Sequence, residues 1–196
     1  MGLWLALVTA LALLLRLFRL AYWGLWADEG EVYHYAAGSA AQVLSGTATG
    51  PHPPGFYLLF HYWKELCASL FLWRLLPALI GALSIPLLFL AGRGLVGTRP
   101  ALLAALLLAV NPVHVGESQD LRMYSLLTLE YLLLFWAAGK VALEGRKLLW
   151  YGLVAAVAAL FVYAIRGRRL PLCDCPGGPY LGGAGPDWLR LLLRRS

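Results

Sequence analysis

The sequence predicts an all-α, polytopic transmembrane helical bundle, with about five spans and one helix lying at the membrane interface. Three observations predict it. The chain is 61% hydrophobic and 13% charged over 196 residues, with mean hydropathy +0.70, well above an ordinary soluble domain. Its apolar residues gather in runs long enough to cross a hydrocarbon core of about 30 Å. Many of its eight Trp and ten Tyr lie near the ends of those runs, as interfacial anchors do (Trp4, Tyr22, Trp23, Trp26, Trp73, Trp150, Tyr151).

The expected spans are residues 3–22, 74–92, 98–116, 123–139 and 148–165, separated by polar breaks at Arg93–Pro100, Glu117–Arg122 and Lys140–Lys147. The first run carries no acid and only Arg16 and Arg19 as bases. It lacks a basic leader and is too long and Arg-interrupted for a cleaved signal, so it is expected to remain as an anchor. In the third span Asn111-Pro112 should kink or end the helix, because proline removes a backbone donor. Residues 55–72 are apolar, but His61, Lys64 and Glu65 interrupt them. Phe56, Leu59, Phe60, Trp63 and Leu66 or Cys67 recur at helical spacing, so an interfacial amphipathic helix is expected there. The positive-inside bias places the N-terminus inside, with the acidic 25–31 loop and the 117–122 loop both on the outer face.

The net charge of +6 is spread through loops and suits a bilayer surface rather than nucleic acid. Cys67, Cys173 and Cys175 form neither a disulfide framework nor a zinc pattern. No glycine-rich phosphate loop or dinucleotide fingerprint occurs. Residues 1–165 read as one transmembrane domain. Residues 166–196 differ abruptly: they are rich in Arg, Gly and Pro and hold two of the three Cys. A reading-frame shift would produce such a tail; a genuine short disordered tail is the alternative.

The residues with chemical potential follow the spans. Leu25-Trp26-Ala27-Asp28-Glu29-Gly30-Glu31 puts three carboxylates at the exit of a membrane helix, which is costly unless they meet water and serve a purpose. Asp28-x-x-Glu31 also reads as a capping box opening a helix. His52-Pro53-Pro54 fixes the backbone ahead of the interfacial helix. Arg74 lies at the outer mouth of the second span, and Arg16 and Arg19 near the outer end of the first. All three can hold a phosphate or snorkel to the interface. Arg122 can tie to Asp120 or Glu117. Glu130, in the fourth span, should face protein or water. His61 and His114 are read as interfacial.

Four segments in order, LLLRLFRLAYWGLWADEGEVYHYA, GPHPPGFYLLFHYW, WRLLPALIGALSIPLLFLAGRGLVG and NPVHVGESQDLRMYSLL, resemble bacterial relatives of the dolichyl-phosphate-mannose protein mannosyltransferases and the related aminoarabinose transferases. The resemblance runs from residue 10 to about 165. It implies the N-terminal portion of a GT-C-type membrane glycosyltransferase, lacking part of the lipid groove and inactive alone. It implies Asp28 as general base and Glu29 as its assistant. His52, Arg74, Arg122 and Arg16 would contact the lipid phosphate. Asp120, standing where the family usually has Glu, would face Asp28 across a divalent cation (Mg or Mn). The implied donor is a polyprenyl-phosphate-linked sugar, and the acceptor a protein, lipid or glycan. Both would meet at the extracytoplasmic side of the cell inner membrane. The rival readings are a small transporter or channel subunit, with Glu130 on an ion path, and an inactive membrane remnant.

Overall fold

The computed structural model describes residues 2–48, 54–66, 69–144, 151–153 and 156, and over the described residues the main elements are eight helices. The first is α1 (Gly2–Leu17), whose leucine- and alanine-rich run ends at a turn where Arg19 adopts a left-handed φ of 57°. The expected first span therefore stops short of residue 22. After α1 come α2 (Ala27–Ala36), α3 (Ala40–Ala48) and α4 (Pro54–Leu66), three short helices at one end of the bundle.

The central element is α5 (Leu70–Val96), capped by Ser69, whose hydroxyl accepts from the Leu72 N–H. It is several residues longer at both ends than the sequence reading gave. At ~1.5 Å per residue it is about 40 Å long. Among the described residues it alone is long and apolar enough to cross a membrane as one helix. Next come α6 (Thr98–Val110) and α7 (Pro112–Gln119), which pass the same test only as a pair bent by 55°. The bend falls where Asn111-Pro112 predicted it. Asn111 caps α7 by accepting from the N–H groups of Val113 (2.9 Å) and His114 (3.1 Å), and Pro112 occupies the first turn, where no donor is needed. The last is α8 (Tyr124–Glu144), packed along α5. The expected fifth span, 148–165, and the 166–196 tail lie outside the described residues apart from 151–153 and 156.

Two apolar clusters hold the helices. Deep in the bundle Ala101, Ala105 and Ala109 recur every fourth residue on α6 and pack against Ala12, Ile85 and Phe89. Small residues there let α1, α5 and α6 approach closely, the usual solution where lipid supplies no hydrophobic drive between helices. At the loop-bearing end, Val32, Val43, Phe56, Tyr57, Phe60, Leu76, Ile80 and Leu121 form the second cluster. The buried face of α4 is thus Phe56, Tyr57 and Phe60, whereas Leu59 and Leu66 point outward. Hydrogen bonds moor α4 at this end, from Trp63 Nε1 to the Leu72 carbonyl (2.7 Å) and between His61 Nδ1 and the Ala36 carbonyl (3.0 Å). Large apolar side chains face outward along the bundle, including Leu14, Leu83, Leu103, Leu107 and Val113.

One glycine is required by close approach. A methyl group at Gly81 on α5 would collide with the Ser118 side chain of α7 and lie 3.1 Å from Arg16 Nε. Gly81→Ala is therefore expected to destabilise the bundle by about 1–3 kcal/mol through overpacking, although alanine is the better helix former. Thermal unfolding in detergent micelles checks this. Ser118→Gly should recover most of the loss in the double variant.

Candidate functional site

The site is built at the end of the bundle where α1 exits, α2 begins and the α7–α8 connection returns. Helix α2 starts after Trp26, and Glu29, in its first turn, accepts from the Trp26 N–H (3.2 Å). The reciprocal half of a capping box is therefore supplied by Glu29, not by the expected Asp28–Glu31 pair. Consecutive helical residues point about 100° apart, so Glu29 turns inward and Asp28 outward.

Glu29 is 1% exposed and Arg74, from the first turns of α5, is 3% exposed. They form a two-pronged ion pair, Arg74 Nε to Glu29 Oε1 at 2.9 Å and Nη2 to Oε2 at 2.6 Å. The remaining donors of Arg74 reach three carbonyls in the α1–α2 connection: Leu20 (3.0 Å), Trp23 (2.9 Å) and Gly24 (2.9 Å). A guanidinium has five N–H groups, and here each has a partner. Glu29 Oε1 also accepts from the Leu121 N–H at 2.9 Å, so its carboxylate is equally saturated. Burial alone would raise the Glu29 carboxyl, but the hydrogen bonds from Arg74, Leu121 and Trp26 outweigh it and hold it below its ordinary value of 4.5. Arg74 has no N–H left for a lipid phosphate in this arrangement, and Glu29 has no lone pair left for an acceptor.

Asp28 stands on the outer side of this pair, with its side chain 62% exposed, and Arg122 Nη1 donates to its Oδ2 at 2.5 Å. Arg122 lies between α7 and α8, its guanidinium over the Tyr124 ring at 5.5 Å from the centroid. Asp120 is close by. Desolvation pushes its carboxyl above the ordinary aspartate range, and the Glu29 and Asp28 carboxylates add to this against Arg74 and Arg122. The sequence thus named five residues that the fold brings together: Asp28, Glu29, Arg74, Asp120 and Arg122. Among the described residues no three His, Cys, Asp or Glu side chains converge as metal ligands. Asp28 faces a guanidinium, so a cation between Asp28 and Asp120 would have to displace Arg122. His52 lies outside the described residues.

Arg16 sits apart and deeper. It is fully buried, donates to the Ala12 (2.8 Å) and Ala109 (3.3 Å) carbonyls, and pairs through Nη2 with His114 Nδ1 at 2.5 Å. It neither snorkels nor meets the Asp28–Arg122 surface, and His114 is buried beside it rather than interfacial. Its Nε has no hydrogen-bond partner among the described residues.

One residue escaped the sequence reading. Gln119 Nε2 donates to the carbonyls of Leu15 (3.1 Å), Arg16 (3.2 Å) and Phe18 (3.0 Å), which are orphan acceptors at the C-terminus of α1. The last residue of α7 thereby caps α1 and sets where the Asp120–Arg122 segment begins. Its place between Ser118 and Asp120 was the available signal, but the partners lie about a hundred residues away.

The Glu29–Arg74 pair gives a pH expectation. A carboxyl whose folded value lies below its unfolded one contributes stability that is complete above the unfolded value and lost as pH falls through the folded value. The unfolding temperature in micelles should thus drop on acidification below about 4.5, and Glu29→Gln should lose that dependence. At neutral pH the same variant should cost about 3–5 kcal/mol, since it leaves a buried guanidinium uncompensated.

Comparison with known proteins adds the family. Residues 51–165 match the family model described as dolichyl-phosphate-mannose-protein mannosyltransferase. No curated protein and no solved structure matches the chain. The matched segment contains Arg74, Asp120 and Arg122, while Asp28 and Glu29 lie before it.

Proposed function

The chain belongs to the dolichyl-phosphate-mannose-protein mannosyltransferase family, a family of membrane glycosyltransferases, and from that premise we propose that it serves transfer of a sugar from a polyprenyl-phosphate donor to a protein, lipid or glycan acceptor. The observation that carries the reading is the exposed Asp28–Arg122 ion pair, seated on the buried Glu29–Arg74 pair. The transport alternative finds no support in the family match.

In the proposed reaction the acceptor hydroxyl oxygen attacks the anomeric carbon in a single displacement. The bond from that carbon to the phosphate oxygen breaks, and its electron pair leaves with the lipid phosphate. The acceptor proton passes to the Asp28 carboxylate, whose exposure lets an acceptor come within hydrogen-bond reach. Arg122 stabilises the charge growing on the departing phosphate. Because Arg122 holds Asp28 in the structure, a donor phosphate that captures Arg122 would also release Asp28 to act as base. Glu29 and Arg74 are positioning residues in this scheme, with neither reaching substrate. We place the site at the extracytoplasmic face of the inner membrane, where the lipid-linked donor and a polar acceptor can meet. No step uses a metal ion.

The test is transfer of radiolabelled mannose from polyprenyl phosphate into lipid and protein fractions of membranes carrying the full chain, and transfer above background there would also overturn the expectation that the chain is inactive alone. Asp28→Asn should lower transfer by about 10²–10⁴-fold, the range for loss of a general base, while preserving the folded protein. Unchanged transfer in that variant, or loss in Asp120→Asn instead, would contradict the assignment of the base.

A further inference from the structure

Residues 18–26, which connect α1 to α2, turn five large apolar side chains outward: Phe18, Tyr22, Trp23, Leu25 and Trp26. Tyr22, Trp23 and Trp26 are 61%, 65% and 62% exposed, a density of apolar surface that marks an interaction face. We infer that this connection is a wedge seated in the phospholipid headgroup layer, with Arg19 held on a lipid phosphate.

Continuity is the first support. Leu3, Leu7, Leu11 and Leu14 recur every three or four residues along α1 and are all exposed, while Ala12 and Arg16 on the other face are buried. Phe18 extends that leucine stripe into the connection. Just beyond it leucine gives way to Tyr22, Trp23 and Trp26, amphipathic rings of the kind that collect where hydrocarbon meets headgroups. The surface thus changes from acyl-chain chemistry to interface chemistry within a few residues.

Charge is the second. Arg19 is exposed, and its guanidinium lies over two rings, 5.6 Å from the Phe18 centroid and 4.9 Å from that of Tyr22. A guanidinium backed by aromatic faces presents its planar fork outward, which suits a phosphodiester. Rigidity is the third. Leu20 points inward, 3% exposed, and Arg74 donates to the carbonyls of Leu20, Trp23 and Gly24. The backbone is therefore moored from beneath while its side chains face out, so little ordering cost remains when lipid is met. Trp26 stands two residues before Asp28, and the wedge accordingly sets Asp28 at the level of lipid phosphates.

This inference rests on the membrane placement given by the family, not on the chemistry proposed for Asp28, and it is read without an activity assay. The full chain, with Cys67, Cys173 and Cys175 changed to Ser and Trp23→Cys carrying a nitroxide label, would be reconstituted in phosphatidylcholine–phosphatidylglycerol vesicles. Relaxation of the label by a nickel chelate anchored to lipid headgroups should exceed that by the soluble chelate about fivefold or more. Arg19→Gly removes the charge yet suits the φ of 57°, so the turn is not strained, and it should lower this contrast about twofold or more. Arg19→Lys should keep it. Stronger relaxation by the soluble chelate would place the connection in water. Protection from both chelates would mean that protein, from this chain or another copy, covers it. Either result overturns the wedge, and an unchanged contrast in Arg19→Gly overturns the phosphate contact.

Discussion

The buried ion pair between Glu29 and Arg74 determines how the loop-bearing end of this protein is assembled. It joins the exit of α1, through three carbonyls, and the adjoining first turn of α2 to two remote pieces of chain, the start of α5 and the backbone of Leu121 before α8. Taking two charges out of water costs several kcal/mol per ion, and such a pair is tolerable only when every donor and acceptor is used. Here they are. The chain accordingly accepts a pair of weak net stability in exchange for a fixed geometry at the surface above it.

That geometry places Asp28 and Arg122 side by side although they are far apart in the sequence. Gln119 fixes the other border by capping α1 from α7. The proposed reactive surface is thus shallow and polar, while the groups that hold it lie one layer beneath. The division assigns the same kinds of residue, acid and arginine, to opposite duties according to burial alone. An exposed carboxylate can exchange protons with a substrate, whereas a saturated buried one only holds position.

Much of this was legible in the sequence. The all-helical character, the break at Asn111-Pro112, the importance of the acidic loop and the meeting of that loop with the 117–122 segment all follow from local composition and order. What was not legible is the partnership of each side chain. Nothing local distinguishes Asp28 from Glu29, and only the helical phase set by the Trp26 cap turns one outward and the other inward. Arg74 and Arg122 likewise both read as phosphate ligands, and nothing local shows that Glu29 and long-range carbonyls take the donors of Arg74. His114 read as interfacial, yet the bend at Pro112 leaves it buried against Arg16.

The most direct measurement is residue-resolved amide hydrogen exchange of the micelle-bound protein, comparing the wild type with Arg74→Gln. The Leu121 N–H donates to Glu29 and depends on Arg74 to hold that carboxylate in place. It should exchange slowly in the wild type and at least a hundredfold faster in the variant, with amides in the middle of α5 unchanged. A Leu121 amide that exchanges like an open loop in the wild type, or stays protected in Arg74→Gln, would contradict the claim that this pair organises the site.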